Sequence, residues 1–353
     1  MSSTGDQDTT QPADAARLLG EDAHTSPALS TAATVERSDI ESLHRDEAIG
    51  DLARPQPTVI MESECVENGD GHGRTYDTFR RGRNTLPNGT EEQGRLNHQH
   101  DILMRLMDGN LYLAPLDPIN IHNVLDIGTG TGSWAIDFAQ RYPSAKVIGS
   151  DLTPSTPLLV PPNCSFEIHD AEEDDWSYST PFDYVHGRLI ITCFADPLEI
   201  IYKCFDNLKP GGYLEIHDLS PLEFEGDVSR SKPIRRWMDL CIEASTQNGR
   251  PWNNAVHFAH WMHEVGFEDV EERLFKLPSN PYEGLSAHQQ ELGRESMQNL
   301  SSAVEALSLR NFTRTLGWTP AGVRELAAAV RRDLSEGVKA YCTARAVWGR
   351  KPL

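Results

Sequence analysis

The stretch His122-Asn123-Val124-Leu125-Asp126-Ile127-Gly128-Thr129-Gly130-Thr131-Gly132-Ser133-Trp134 constrains the fold more than any other part of this chain. Its apolar run predicts a strand, its alternating glycines a tight turn, and the residues after them the opening of a helix. Glycine carries no Cβ, so backbone N–H groups in such a turn can approach a ligand closely. Asp151 closes the next apolar run, Lys146-Val147-Ile148-Gly149-Ser150, roughly 20 residues beyond the turn. An acid at the end of a second strand is placed to hold a ribose by its two hydroxyls.

From this stretch onward the pattern alternates between strand and helix. Strands are predicted over residues 122–128, 146–152, 164–170, 182–189 and 213–219. Helices fall between them at 132–142 and 197–208, the second with a proline in its first turn and stopped by Lys209-Pro210-Gly211-Gly212. Such alternation gives an α/β fold with a parallel, doubly wound sheet. Ahead of it, Pro87-Asn88-Gly89 reads as a turn and Thr90 as the cap of a helix over 91–107. Leu96, Leu103 and Met107 recur there at helical spacing, with Ile102 and Leu106 widening the stripe. This helix either covers the nucleoside pocket or simply packs on the sheet.

The last third is richer in helix. After Pro233, residues Ile234, Trp237, Met238, Cys241 and Ile242 define one amphipathic face. A second helix is predicted over 253–265, closed by Gly266, then a strand over 267–276. Helices follow at about 285–308 and 320–336, and a last strand at 341–350, forming an antiparallel edge.

Composition sets the outer limits. The chain has 353 residues, a net charge of −21 and 38% hydrophobic residues. Residues 1–70 hold 15 acids against 4 Lys/Arg and few aromatics, which predicts a disordered acidic tail or a segment that folds on a partner. Residues 71–120 are then an N-terminal lid-helix region, and 121–353 the main domain. An acidic chain without a basic patch is a poor ligand for nucleic-acid phosphates. The six cysteines are scattered, with no Cys-x-x-Cys and no His/Cys group at zinc-ligand spacing, which predicts reduced thiols and no metal. No secretory signal pattern or membrane-spanning run is evident, so a cytoplasmic or nuclear location is expected.

The chemistry is carried by acids at strand ends. A dinucleotide fingerprint wants glycine or alanine where this chain has Ser133. Asp126 lies inside the first strand's end, where its charge would repel a pyrophosphate and suit a cationic group such as an amino-acid ammonium. The plainer role for Asp126 is to cap the turn. Asp170 ends the third strand and can accept from the exocyclic amine of adenine, with Trp176 near enough to flank the ring. Glu172, Glu173, Asp174 and Asp175 are expected to be solvated surface.

Three acids at successive strand ends around a glycine turn describe a pocket for S-adenosyl-L-methionine better than one for NAD. Val124-Leu125-Asp126-Ile127-Gly128-Thr129-Gly130-Thr131-Gly132, Val147-Ile148-Gly149-Ser150-Asp151-Leu152, Asp170-Ala171 and Leu208-Lys209-Pro210-Gly211-Gly212 resemble the motifs of class I methyltransferases. The fungal LaeA-like group is closer still. Residues 92–100, Pro161-Pro162-Asn163-Cys164, Gly249-Arg250-Pro251 and Phe312-Thr313-Arg314-Thr315-Leu316-Gly317-Trp318 are similar to it. The resemblance covers about Tyr76 to the C-terminus. It implies a Rossmann-like, seven-stranded, mostly parallel sheet of order 3-2-1-4-5-7-6, with strand seven antiparallel, helices on both faces and a helical insertion or cap.

The resemblance also implies roles. Asp126, Gly128, Thr129, Gly130 and Gly132 would hold the methionine end and ribose side of the cofactor. Asp151 would take the ribose hydroxyls, Leu152 would pack on the adenine, and Asp170 with the N–H of Ala171 would read its edge. His186 would lie below the sulfonium. His186 and His217, at adjacent strand ends expected to face the acceptor, are the candidate bases for a hydroxyl acceptor. His217 departs from the glutamine expected in the group. The inert alternative for each is a histidine bonded to backbone. Trp237, Met238, Trp252, Phe258, Trp261 and Met262 are either acceptor-pocket residues or ordinary core. Two functions are open: methylation of a small-molecule intermediate of fungal secondary metabolism, or LaeA-like regulation of metabolite gene clusters through protein partners.

Overall fold

Val124, Leu125 and Ile127 are fully buried, and even Asp126 between them is 2% exposed. A run buried on both faces is the mark of a central strand covered by helices on either side. In the computed structural model this run is β1, Asn123–Ile127. The other strands of its sheet are β2 (Lys146–Asp151), β3 (Cys164–Ile168), β4 (Phe182–Arg188), β5 (Leu208–Leu219), β6 (Glu268–Pro278) and β7 (Ala340–Arg350). They lie in the order β3-β2-β1-β4-β5-β7-β6, with β7 antiparallel to both of its neighbours. This is the order implied by the resemblance. A two-residue strand, Glu223–Phe224, adds to β7 at Ala340 and Tyr341. The structure describes residues 87–153, 157, 159–190, 192–226 and 232–353, together with the paired short strands Val66–Glu67 and Tyr76–Asp77. Apart from Val66–Glu67, the expected acidic tail, residues 1–70, lies outside the described residues.

The parallel register fixes which residues share a face. Asp126 pairs with His186, His186 with Glu215, and Arg188 with His217. All five therefore point to one side of the sheet, because side chains in neighbouring strands stay in register. Helix α2 (Ser133–Arg141) covers that side, and its Trp134, Ala135 and Phe138 pack with Val124, Val147 and Tyr184. On the opposite side α3 (Pro197–Asn207) and α5 (Phe258–Val265) close over Leu125, Val185, Leu214 and Ile216. Helix α3 begins as the sequence predicts. The Asp196 carboxylate accepts from the N–H groups of Leu198 (3.1 Å) and Glu199 (3.2 Å), and Pro197 opens the helix.

A helical cap sits at the carboxyl ends of the strands. It contains α1 (Thr90–Leu106), α4 (Lys232–Gln247), α6 (Ala287–Arg314) and α7 (Pro320–Ser335). Helix α4 buries Ile234, Trp237, Met238 and Cys241 as its spacing requires; Leu240 joins them and Ile242 is half-buried. Helix α6 starts on a capping box in which Ser286 and Gln289 satisfy each other's backbone N–H.

Several expectations are corrected. Thr90 is the first helical residue of α1, and the N-cap is Gly89, with no side-chain cap. The helix expected over 253–265 splits into a 3-10 turn, Trp252–His257, and α5. Lys209-Pro210-Gly211-Gly212 opens β5 instead of separating it from α3. It does so because the chain's end pairs there: the Gly211 N–H donates to the Lys351 carbonyl (2.9 Å) and the Lys351 N–H donates to the Gly212 carbonyl (2.8 Å).

Candidate functional site: a cofactor cradle beside a cavity

Gly128, Gly130 and Gly132 all take left-handed backbone angles, at φ of 63°, 57° and 79°. At Gly132 a Cβ would lie 2.5 Å from the Phe166 ring, so a larger residue would force that ring or the turn to shift. At Gly130 a Cβ would meet nothing within 4 Å, which leaves open space on that side of the turn. The turn is held by the two acids that flank it. The Thr129 hydroxyl donates to Asp126 Oδ2 (2.6 Å), and the Gly130 N–H donates to Asp151 Oδ2 (2.8 Å).

Asp126 is a buried carboxylate with two partners. Besides Thr129 it meets His186 Nδ1 at 2.7 Å. Burial pushes its carboxyl up to about 7, with the Thr129 hydroxyl and the Arg188 charge pulling the other way. The His186 ring stacks on Trp134, with centroids 3.7 Å apart and planes 6° from parallel. Burial, then the positive fields of His217 and Arg188, hold His186 well below the ordinary imidazole range, so it is neutral. Its Nε2 is buried without a hydrogen-bond partner.

Asp151 and Asp170 are built into their loops. Asp151 Oδ1 accepts the Thr153 N–H (3.0 Å), and burial raises its carboxyl against the pull of the loop N–H groups. Asp170 Oδ1 accepts from the N–H groups of Glu172 (3.0 Å) and Glu173 (3.4 Å). The Ala171 carbonyl accepts from Trp176 Nε1 (3.1 Å) and Lys203 Nζ (2.9 Å), fixing the turn on which Asp170 sits. Leu152, beside Asp151, is half-buried.

The acids after Asp170 are not a uniformly solvated surface, which corrects the expectation. Glu172 Oε2 accepts from Arg250 Nη2 (2.7 Å) and its Oε1 accepts the Ala195 N–H (2.6 Å). Asp174 Oδ2 accepts the Asp170 N–H (2.8 Å). Glu172 thus ties the loop after β3 to the loop after α4, which the charge run Glu-Glu-Asp-Asp concealed.

Glu215 is a functional-looking residue that the sequence reading missed. It is completely buried on β5, and its carboxylate accepts from the N–H groups of Leu113 (2.7 Å) and Ala114 (3.0 Å) and from the Tyr184 hydroxyl (2.9 Å). His217 Nε2 meets it at 2.5 Å. Burial alone would raise the Glu215 carboxyl, but His217 and these donors outweigh it and hold it low. The signal was present: Tyr213-Leu214-Glu215-Ile216-His217 puts Glu215 and His217 on one face of a buried strand.

A cavity of about 290 Å³ lies beside the cradle. Leu189 and Thr192 border it after β4, and Asp218 to Leu222 at the end of β5 and just beyond it. Its walls come from the cap, with Trp237 and Met238 of α4, Trp252, and Leu307 of α6 among them. Phe258, Trp261 and Met262, the other half of the expected aromatic set, instead serve the core under α3 and α5. Neither His186 nor His217 borders this cavity; His217 lines a void of only about 10 Å³ next to it. Helix α1 seals one side through a buried polar clamp. Arg95 donates to Glu92 Oε1 (2.5 Å), Gln99 Oε1 (2.7 Å) and Asn299 Oδ1 (3.2 Å) of α6, and Asn299 Nδ2 donates to the Arg95 carbonyl (2.8 Å).

Comparison with known proteins finds relatives of this chain. The profile of a methyltransferase-domain family matches residues 93–272, from α1 into β6. The chain is 34% identical over 287 residues to the methyltransferase pytC of Aspergillus terreus, covering 78% of this chain and 88% of pytC. It is 30% identical over 305 residues to the secondary metabolism regulator LAE1 of Cochliobolus heterostrophus, covering 84% of this chain and 97% of the regulator. Among solved structures, one similar chain is phosphoethanolamine N-methyltransferase 2 of Haemonchus contortus, at 18% identity and a TM-score of 0.43 over 73% of this chain and 53% of that one. The chain belongs to the class I S-adenosyl-L-methionine-dependent methyltransferases, in the group that unites the fungal methyltransferases and the LaeA-like regulators. S-adenosyl-L-methionine is its cofactor, and the residues present fit it: an open glycine turn, acids at three adjacent strand ends and an orphaned imidazole nitrogen beside them. No helix among the described residues is long and apolar enough to cross a membrane.

Proposed function

We propose that this protein methylates a small-molecule intermediate of fungal secondary metabolism, bound in the cavity of about 290 Å³ under the helical cap. The observation that carries the reading is the cavity's place. It opens at the carboxyl ends of β4 and β5, next to the strand ends that bear the acids, which is where ligands of open α/β sheets bind. The bound cofactor supplies a methyl group already activated on a sulfonium. What the chain contributes is alignment and exclusion of water.

In this proposal Asp126, Gly128, Thr129, Gly130 and Gly132 hold the methionine end and ribose side, Asp151 the ribose hydroxyls, and Leu152, Asp170 and Ala171 the adenine. His186 and His217 act as positioning residues. His186 holds Asp126 and fills the floor under Trp134, while His217 holds Glu215 and through it the loop at Leu113 and Ala114. The domain limits proposed are the lid region 71–120 and the methyltransferase domain 121–353. The proposed location is cytoplasmic or nuclear, in keeping with the free thiols of Cys164, Cys193, Cys204, Cys241 and Cys342.

Similarity to LAE1 along almost its whole length favours a second reading, in which the same fold regulates metabolite gene clusters through protein partners. Metabolite profiling of a deletion strain separates the two. One product lacking a single methyl group supports the pathway enzyme; loss of many unrelated metabolites supports the regulator. Titration of purified protein tests what both share. Binding of NAD with no response to S-adenosyl-L-methionine would sink both readings.

A further inference from the structure

Arg188 is a cation that the fold positions near Asp126 and Asp137 without a direct ion pair to either. It ends β4, two residues after His186 and on the same face of the sheet as Asp126. Its Nη2 donates to His100 Nδ1 at 2.6 Å. Because a guanidinium only donates, His100 Nδ1 must be the acceptor, and its proton sits on Nε2, which faces Asp137 Oδ2 at 2.9 Å. The arrangement runs from β4 through α1 to α2 and fixes where the guanidinium points. Arg188 Nη1 is left buried without a hydrogen-bond partner. None of the ion pairs among the described residues includes Arg188. A desolvated guanidinium edge with no anion is costly to keep unless a ligand supplies one.

The neighbouring charge has the opposite sign. Asp126 is held by His186 and Thr129, neither of which brings it a positive charge. One face of β1 and β4 therefore presents a carboxylate and a guanidinium a short way apart, which feel each other's charge but form no ion pair with one another. That pattern complements an α-amino-acid zwitterion. Resting on the assignment of the cofactor cradle, we infer that Arg188 binds the carboxylate of the cofactor's methionine moiety while Asp126 takes its ammonium, with His100 and Asp137 as the positioning residues behind Arg188. Arginine suits the task because its fork can donate two parallel hydrogen bonds to one carboxylate.

Binding measurements on the full chain test this without any turnover. The probes are S-adenosylhomocysteine, which keeps the amino-acid end, and 5′-methylthioadenosine, which keeps the nucleoside and lacks that end. For the unaltered protein, S-adenosylhomocysteine should bind about 10- to 100-fold more tightly, the worth of a charge-assisted hydrogen bond. Arg188→Gln should remove most of that advantage and leave methylthioadenosine within about twofold, and Arg188→Lys should recover part of it. Equal affinities for the two probes in the unaltered protein overturn the inference even if the variants fail to fold. So does an equal weakening of both probes by Arg188→Gln, which would mark Arg188 as a support for the whole site. Failure of the unaltered protein to bind either probe instead overturns the cofactor cradle itself, and this inference with it.

Discussion

The charge on Asp126 depends on the pH at which the protein works. Burial raises its carboxyl to about 7 from 3.8. The protonated form is therefore favoured in the folded state. The stability it contributes is complete below 3.8 and is lost as the pH rises through about 7. An ammonium pairs with the charged form, and an α-amino group stays protonated below its usual value of about 7.7. Affinity for S-adenosylhomocysteine should thus rise between about pH 5.5 and about pH 7, approaching tenfold per unit. Calorimetric titration at several pH values checks this, and in Asp126→Asn the slope should vanish. A slope that survives the substitution belongs to another group. Asp151 gives a second test. Its carboxylate already accepts two loop N–H groups, and charged acceptors contribute roughly 1.5–3 kcal/mol per hydrogen bond. Asp151→Ala should weaken cofactor binding at least about tenfold. Asp151→Asn, which keeps the shape, separates loss of the ribose bonds from loosening of the turn. Unchanged affinity in both removes Asp151 from the ribose.

The element that most needs its own sequence is the turn from β1 into α2. Gly132 sits at φ 79° with the Phe166 ring where a Cβ would go, 2.5 Å away. Gly132→Ala should cost about 1–3 kcal/mol of stability from overpacking, on top of the penalty for the left-handed angle. Denaturant unfolding measures it, and a loss under about 0.5 kcal/mol, the size of an ordinary surface change, would show that the turn relaxes easily. This element was legible from residue order alone, because glycines at fixed offsets after an apolar strand admit few geometries. Helix α1 was legible only in its second half. Of its expected apolar stripe, Ile102, Leu103, Leu106 and Met107 are buried and Leu96 is only half-buried, while its first half buries Glu92, Arg95 and His100. Their partners Asn299, Asp137 and Arg188 lie far along the chain. Polar residues at helical spacing read as a solvated face until the elements that satisfy them are known. A similar limit hid Glu172, whose hydrogen-bond partners are set by the tertiary fold.

At the scale of the molecule, two sites share one sheet edge and are walled by different elements. The cradle is made by the turns after β1, β2 and β3, whereas the cavity is closed by α1, α4 and α6. The alternation of strands and helices made a parallel, doubly wound sheet readable, whereas its strand order came only with the resemblance to class I methyltransferases. The cavity was not readable, because the same aromatic spacing serves lining in Trp237 and core packing in Phe258. The separation has a consequence that can be measured. Leu307 lines the cavity from α6 and is half-buried, so a larger side chain there can extend into the empty space. Leu307→Trp should fill a substantial part of the volume while the cofactor cradle keeps every residue assigned to it. Affinity for S-adenosylhomocysteine should stay within about twofold, because no group that holds it has been altered. In the deletion strain complemented with this variant, a cavity that takes the acceptor predicts accumulation of the unmethylated precursor. Full restoration of the methylated product, with the variant folded and binding S-adenosylhomocysteine normally, would place the acceptor outside the cavity and leave the cap without a role in acceptor binding.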